Sequence, residues 1–405
     1  MKHLLIFSLA IFFTIHSSGQ EWNEVESGSE EQLRRVHFIN ENTGFIVGNN
    51  GTLLISTDGG NSWDVADTGV SHFLNTITFA NENVGYVNGL KTIDGGQTWT
   101  PQPITINFGI MYAFDENKLI AGDINFSGNL YISNDGGITW EEHSNPILAS
   151  GLPSGAFNDI CFVNEEIGYL SAWYAGNLFK TIDGGTSWTH LEIENVDGES
   201  WSSDDFLSVD FPSNDVGVFS HENGVLKTND AGITWSEILA TDIPPSLYVT
   251  KVIALDENTF IAAGGIIGDT SSQAKLLEST DGGLTWTSSI QTNDYFWDLT
   301  CTDSKCFAVG NDGVIYSRLN DLINSNQELL ESEISIYPNP STDIIQIETE
   351  YYLLDYIEIK DLNGKMCIPK IISPNQIDIS HLEPGIYLLQ LKSEDSSTSY
   401  KIVKN

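Results

Sequence analysis

Positive charge is scarce in this chain of 405 residues, which has 17 lysine and arginine side chains against 56 aspartates and glutamates. The formal net charge is −39. Nucleic acids and anionic lipid surfaces repel such an acidic protein, so neither is expected as a partner. The solubility of an exported protein is a sufficient reason for this composition.

Long hydrophobic runs are also lacking, apart from one stretch at the N-terminus. Leu4 to Ile15 is almost wholly apolar, follows Met1-Lys2-His3 and precedes the small and polar residues Ser17 to Gln20. A run of about a dozen residues is too short for a membrane span, which needs about 20, and the pattern is typical of a secretory signal peptide. We predict a signal peptide over residues 1–19, cleavage before Gln20 and no transmembrane span.

Cysteine is limited to four residues. Cys301 and Cys306 have four residues between them and lie on the two arms of a predicted hairpin, close enough for a cross-strand disulfide in an oxidising compartment. A metal pair is the alternative, but no histidine or further cysteine lies nearby to complete four ligands. Cys161 and Cys367 are expected to be buried thiols rather than nucleophiles.

No cofactor or metal site is predicted. Calcium is an alternative for the acidic segment Asp197 to Asp205, but this segment lacks a complete loop of alternating ligands.

The chain contains one short motif six times. It reads Asp-Gly-Gly, then a variable residue, then Ser or Thr, then Trp, and Ala231 replaces the first glycine in one copy. A tight turn between antiparallel strands needs a residue free to take positive φ, and an aspartate side chain stabilises it by accepting backbone amides. A catalytic or calcium-binding group would not be needed six times. We therefore predict structural turn roles for Asp58, Asp94, Asp135, Asp183, Asp230 and Asp281.

The repeat spacing indicates the architecture. Successive aspartates of the boxes lie 36 to 51 residues apart, a period typical of four-stranded propeller blades. Each unit also carries an upstream hairpin phrase, such as Val36 to Gly48 in the first unit. A seventh unit, Leu299 to Ser317, lacks its box and fourth strand. The segment Glu21 to Val25 can fill that place, so we predict an all-β fold with seven four-stranded blades closed by the N-terminal strand.

The hairpin phrase, Gly-x-x-Gly-x-Leu and the Asp box together resemble the photosystem II stability and assembly factor family of seven-bladed propellers, over residues 20–320. Asp boxes also occur in sialidases, sortilin-type receptors and xyloglucan-active glycosidases. Sialidases clamp a carboxylate with three arginines. This chain has three arginines in all, Arg34, Arg35 and Arg318, of which two are adjacent, and it lacks a Phe-Arg-Ile-Pro segment, so a sialidase is not expected. The arginine-lined face of the plant and cyanobacterial family members is absent, so a photosynthetic role is not expected.

The C-terminal region differs in composition and lacks the repeat. It opens with Tyr337-Pro-Asn-Pro340, contains Gly385-Ile-Tyr387-Leu and ends in a lysine-bearing strand. This combination resembles the type A sorting domain of the type IX secretion system of Bacteroidota. The resemblance implies a small β-sandwich over residues 333–405, preceded by a linker over 321–332. It also implies that this domain contacts the secretion machinery and that the protein is secreted or attached to the cell surface.

A ligand site is expected where the blades display variable residues at the channel. Alignment of the seven units predicts one equivalent position just before each first strand, at one opening: Arg35, Thr76, Ile110, Asp159, Ser208, Lys251 and Asp298. Three tryptophans lie outside the repeat, and the alternative for them is core packing: Trp173, Trp201 and Trp297. We take as candidate ligand-binding residues Arg35, Asp159, Trp173, Trp201, Lys251, Trp297 and Asp298.

Two functional hypotheses follow. The preferred one is a non-catalytic binding or adhesion propeller, whose ligand is a glycan or a protein. The alternative is a glycoside hydrolase that uses Asp159 and Asp298 as a carboxylate pair, which would require a separation of about 5 Å for retention or roughly 6.5 to 9.5 Å for inversion.

Overall fold

A computed structural model describes residues 21–320 and 335–405, except 104–105, 126, 152–154, 174–176, 192, 194–205, 222–223, 239–246, 267–273, 293, 349–355, 362–364, 368–369, 374–375 and 394–395. The predicted signal peptide, the predicted linker and Trp201 lie outside the described residues. The chain divides into two compact units, Met1–Asn320 and Asp321–Asn405.

The first unit contains seven antiparallel sheets of four strands. The N-terminal strand is β1 (Asn23–Glu24). Blade 1 consists of β2 (Leu33–Phe38), β3 (Gly44–Gly48), β4 (Leu53–Ser56) and β5 (Asp64–Ala66). Blade 2 consists of β6 (Ile77–Phe79), β7 (Gly85–Val87), β8 (Leu90–Thr92) and β9 (Thr100–Pro101). Blade 3 consists of β10 (Phe108–Ala113), β11 (Leu119–Asp123), β12 (Leu130–Ser133) and β13 (Glu141–Ser144).

The remaining blades repeat this order. Blade 4 consists of β14 (Phe157–Phe162), β15 (Gly168–Ala172), β16 (Asn177–Thr181) and β17 (Thr189–Leu191). Blade 5 consists of β18 (Phe206–Asp210), β19 (Gly217–His221), β20 (Gly224–Thr228) and β21 (Ser236–Ile238). Blade 6 consists of β22 (Leu247–Ala254), β23 (Phe260–Ile266), β24 (Ala274–Ser279) and β25 (Thr287–Thr292). Blade 7 consists of β26 (Phe296–Cys301), β27 (Lys305–Gly310), β28 (Ile315–Leu319) and β1.

Within the described ranges, helical structure is limited to single turns. Two 3₁₀ turns, Asn49–Gly51 and Asn311–Gly313, join the second and third strands of blades 1 and 7. The α-helix α1 spans Pro146–Ala149. No helix among the described residues has the length and apolar character needed to cross a membrane.

Hydrophobic cores lie between neighbouring blades. The second strand of a blade is covered on both faces, so that β3 is buried along its whole length, whereas the outer strand β5 is largely exposed. Among the described residues of this unit, seven buried clusters each join two adjacent blades. The cluster between blades 7 and 1, for example, packs Phe307 against Trp63 and Leu54. Burial of these contacts holds the blades in a ring.

The N-terminal strand closes the ring, as the sequence predicts. β1 pairs with β28 through Asn23 opposite Ser317. Trp22 fixes this strand, because its Nε1 donates to Glu278 Oε1 at 3.0 Å and its ring lies 5.5 Å from the Arg318 guanidinium carbon. Arg318 Nη2 in turn lies 3.3 Å from Glu278 Oε2. The ring is thus closed by side chains of blades 6 and 7 as well as by strand pairing.

The second unit contains two four-stranded sheets. One has the order β29 (Ser335–Tyr337), β30 (Ile344–Glu348), β34 (Gln376–Asp378) and β33 (Lys370–Ser373). The other has the order β32 (Met366–Cys367), β31 (Tyr356–Asp361), β35 (Gly385–Ser393) and β36 (Ser396–Lys404). Buried side chains from both sheets form one core, with Ile345, Ile359 and Leu389 among its members. This is a small β-sandwich.

Candidate functional site

The six Asp boxes use their carboxylates within the turn. In the first copy, Asp58 Oδ1 accepts hydrogen bonds from the amides of Asn61 and Ser62, and Asp58 Oδ2 accepts one from Ser62 Oγ at 2.7 Å. The Ser56 hydroxyl also donates to Asp58 Oδ1 and accepts from the Gly60 amide. Hydrogen bonds, first from the Ser62 side chain, lower the pKa of Asp58 to about 2.

Equivalent bonds occur in the other five boxes. The Ser or Thr two positions before each aspartate therefore belongs to the motif, a role that sequence analysis missed although the residue recurs in every copy. The second glycine is required twice over, because Gly60 has a φ of 73° and a Cβ there would lie 2.3 Å from the Phe307 ring.

The Asp boxes lie at the opposite ends of the blades from the 3₁₀ turns. The Gly59 amide donates to the Asn42 carbonyl, in the turn at the C-terminal end of β2. Arg34, at the N-terminal end of β2, instead donates from Nε to Asn49 in the 3₁₀ turn. Any ligand site at the starts of the inner strands is therefore remote from the boxes.

A β-bulge marks the start of six inner strands. In each, the pairing with the second strand shifts by one residue, as between Leu33 and Arg35 or between Phe296 and Asp298. A bulge places two residues opposite one and redirects their side chains. In blade 2 the Asn88 side chain takes the equivalent place by accepting the amides of Asn75 and Thr76.

The bulges create two stacked rings of side chains. The residues within the bulge line a cavity of about 520 Å³, which we call the mouth. The mouth ring consists of Arg34, Asn75, Gly109, Asn158, Leu207, Thr250 and Trp297. The next residue in each blade is the one that the alignment of the seven units predicted at the opening, and we call this second ring the throat. Most throat residues line a second cavity of about 500 Å³.

The predicted ring therefore needs one correction. Arg35 and Asp159 lie inside their strands and not before them. The opening itself is formed by the preceding residue of each blade, because the bulge turns that residue outward. A bulge depends on the pairing register of two strands, which the repeat phase does not reveal.

In the throat, the structure brings Asp159, Lys251 and Asp298 together. Lys251 Nζ lies 2.7 Å from Asp159 Oδ2 and 3.9 Å from Asp298 Oδ1, so one ammonium group lies against both carboxylates. Burial raises the pKa of Asp298, while Lys251 and Arg35 act in the opposite direction. Burial lowers the pKa of Lys251, but Asp159 and Asp298 outweigh this effect, so its pKa is raised and it remains charged.

Throat oxygens of three blades also accept a backbone amide of the next blade. Asp298 Oδ2 accepts the Val36 amide at 2.9 Å, and Asp159 Oδ2 accepts the Val209 amide at 3.2 Å. Ser208 Oγ accepts the Val252 amide at 3.4 Å in the same way. Both candidate carboxylates therefore have a structural role between blades.

The mouth is lined by aromatic side chains. Trp173, Tyr248, Tyr295 and Trp297 all contribute to its wall. The Tyr295 and Trp297 ring centroids are 4.8 Å apart, and Trp297 Nε1 donates to Asn311 Oδ1 at 2.7 Å. Tyr295 was not among the predicted site residues, although it stands two positions before Trp297 in the sequence. Of the three tryptophans outside the repeat, Trp173 and Trp297 thus meet at one cavity.

The two remaining predicted features lie apart from the mouth. Cys301 and Cys306 face each other on β26 and β27 and form a disulfide. Cys161 is a free thiol that lines the throat cavity, and burial raises its pKa. Among the described residues, no group of three or more His, Cys, Asp or Glu is placed to hold a metal ion, and the acidic segment 197–205 lies outside the described residues.

The first unit is thus a seven-bladed Asp-box β-propeller, and residues 335–405 match the secretion system C-terminal sorting domain. The chain belongs to the family described as photosynthesis system II assembly factor YCF48, whose model matches residues 15–108 and 148–275, more than half of the chain. Residues 131–142 match the BNR/Asp-box repeat. The predicted family and fold are confirmed. The sorting domain indicates type IX secretion to the cell surface or extracellular space.

Solved structures show the same fold. YCF48 bound to D1 peptide is 20% identical, with 75% of this chain and 96% of that chain covered and a TM-score of 0.60. PorZ of Porphyromonas gingivalis, a surface component of the type IX secretion system, is 13% identical, with 94% and 60% covered and a TM-score of 0.56. The GH74 xyloglucanase of Xanthomonas campestris is 13% identical, with 92% and 59% covered and a TM-score of 0.60. No curated protein sequence matches the chain.

Proposed function

We propose that this protein is a non-catalytic binding propeller, displayed or released by type IX secretion, that holds a glycan or protein ligand at the mouth of its channel. The observation that carries the proposal is the mouth itself. One residue from the start of every inner strand, together with Tyr295, Tyr248 and Trp173, forms a concave cavity with several aromatic side chains in its wall. Such cavities with a few polar groups are typical ligand sites.

The throat below the mouth supports binding over hydrolysis. A glycosidase needs a substrate oxygen between an acid and a base or nucleophile. The Lys251 ammonium lies against both Asp159 and Asp298, and each carboxylate also accepts a backbone amide of the next blade. These carboxylates have the environment of structural ion pairs.

One solved structure of this fold holds a ligand, and another belongs to a cell-surface protein. The solved YCF48 structure contains a bound D1 peptide, and PorZ is a surface component of the type IX secretion system. The likeness to both is at the level of the fold, so the ligand of this chain must be found by experiment.

The test is a glycan array and a peptide array probed with the full chain, followed by calorimetry on each hit. We expect binding without product formation, and we expect Trp297→Ala to weaken it by at least tenfold. Ile233→Ala is the matched control, because Ile233 is 80% exposed on an Asp-box turn and should bind like the wild type. Turnover of a bound glycan, or no binding on either array, would overturn the proposal.

A further inference from the structure

Most cations that the structure describes in the propeller have an assigned partner. Lysines of five blades donate to a main-chain oxygen in the Asp box of the following blade, and these are Lys91, Lys118, Lys180, Lys227 and Lys305. Arg318 pairs with Glu278, and Lys251 pairs with Asp159. In a chain of net charge −39, a half-buried guanidinium that contacts neither a carboxylate nor a main-chain oxygen among the described residues is therefore notable.

Arg34 is such a cation. Among the described residues its guanidinium makes one hydrogen bond, from Nε to Asn49 Oδ1 at 2.6 Å. Burial lowers the pKa of Arg34, and the positive charge of the neighbouring Arg35 lowers it further. A half-buried positive charge next to a second one is unfavourable unless an anion joins them.

The guanidinium of Arg34 is also held in place at the mouth. Its central carbon lies 5.1 Å from the centroid of the Phe73 ring and 6.0 Å from that of Trp297. Asn49 orients Arg34, and Asn311, in the equivalent 3₁₀ turn of blade 7, orients Trp297. The pair forms a preorganised site in which a cation lies over an aromatic ring.

Three main-chain amides next to the throat are already paired. The amides of Val36, Val209 and Val252 are already bonded to throat oxygens, so these groups cannot pair with an extended peptide. Asn75 is 5% exposed, lines the mouth, and has no hydrogen-bond partner for its side-chain oxygen among the described residues. That oxygen is itself enclosed, so the contacts open to a ligand are those of Arg34 and the aromatic side chains.

From these observations we propose that the mouth binds an acidic glycan, in which Arg34 pairs with a uronic acid carboxylate while Trp297 and Tyr295 pack against the sugar ring. This inference rests on the proposed function and specifies its ligand class. An acidic peptide is the competing class. It would offer the same carboxylates, but a run of glutamates has no ring to pack against Trp297 and Tyr295.

The test compares three probes by calorimetry with the full chain: tetragalacturonate, its carboxyl-reduced neutral counterpart and a tetraglutamate peptide. We expect tetragalacturonate to bind most tightly and to bind more weakly at 200 mM than at 20 mM NaCl. Arg34→Gln should lower its affinity at least about tenfold, the effect of one charge-assisted hydrogen bond. The matched control is Lys370→Gln, which removes an exposed cation of the second unit and should leave binding unchanged.

Thermal melting of Arg34→Gln separates loss of binding from loss of folding, since a folded variant melts near the wild type. Equal affinity for the neutral and acidic tetrasaccharides would overturn the carboxylate contact but leave the proposed function standing. Tighter binding of tetraglutamate would overturn the glycan class, and an unaffected Arg34→Gln would overturn the role of Arg34. If no probe binds while the arrays yield another ligand, only this inference fails. If the arrays are also empty, the proposed function fails with it.

Discussion

Lys180 of blade 4 donates from Nζ to the main-chain oxygen of Ala231 in the Asp box of blade 5, at a distance of 2.6 Å. The Tyr169 hydroxyl donates to the same oxygen at 2.8 Å. Equivalent lysine contacts join four other blade pairs. A large part of the small cationic complement of this chain thus connects neighbouring blades.

Lys180→Met should lower the free energy of unfolding by about 1–2 kcal/mol, because it removes a charged donor but keeps the aliphatic stem. Chemical denaturation measures the change. Lys275→Met is the control, since Lys275 makes no contact with an Asp box among the described residues, and it should change stability by less than about 0.5 kcal/mol. Equal effects of the two substitutions would show that the bond from Lys180 to the Asp box of blade 5 does not stabilise the propeller.

Ala231→Gly should stabilise the propeller by roughly 0.5–1 kcal/mol. Ala231 has a φ of 59°, a left-handed conformation that costs an alanine about 1–2 kcal/mol and a glycine much less. The adjacent Gly232→Ala should instead destabilise it, since Gly232 has a φ of 83° and a Cβ there would lie 3.2 Å from the Tyr169 ring. Thermal melting of the two variants should show shifts of opposite sign.

The Asp boxes should make stability depend on acid. The pKa values of Asp58 and Asp135 are lowered to about 2 in the folded protein, against an ordinary value near 4 in the unfolded chain. The unfolded state therefore binds more protons in this range, and the stabilisation present above pH 4 is lost as pH falls towards 2. Denaturation midpoints at pH 6, 4, 3 and 2 should fall in that order, and Asp135→Asn should reduce the dependence. Denaturation midpoints that stay constant from pH 6 to pH 2 would contradict the stabilising role of the ionised Asp-box carboxylates.

Lys251→Met should destabilise the protein by about 3 kcal/mol, because it leaves two largely buried carboxylates without their cation. The side chain of Asp298 is only 6% exposed. Adding Asp298→Asn removes one of the unpaired charges, keeps an oxygen for the Val36 amide and should restore part of the loss. Full additivity of the two substitutions in a double-mutant cycle would show that the residues are not coupled.

Residues that repeat could be assigned from sequence, and residues that act once could not. The Asp box recurs six times, so its turn role and the blade period could be inferred without a structure. The bulges that form the mouth depend on the register between two strands, as in β2 and β3. Arg34 and Tyr295 were therefore missed as mouth residues, whereas Arg35, which was expected at the opening, lines both the mouth and the throat.

The sequence by itself determined the number of blades and the strand that closes them, because each follows from a local pattern of turns and alternating apolar residues. The sorting domain was identified by the resemblance of its motifs to a known family. Only the tertiary structure decided which side chains meet. Lys251 and Asp159 stand 92 residues apart in the chain and form an ion pair because ring closure brings the inner strands of blades 4 and 6 to one throat. Contacts between different blades depend on how the repeats pack, and packing across a channel leaves no period in the sequence.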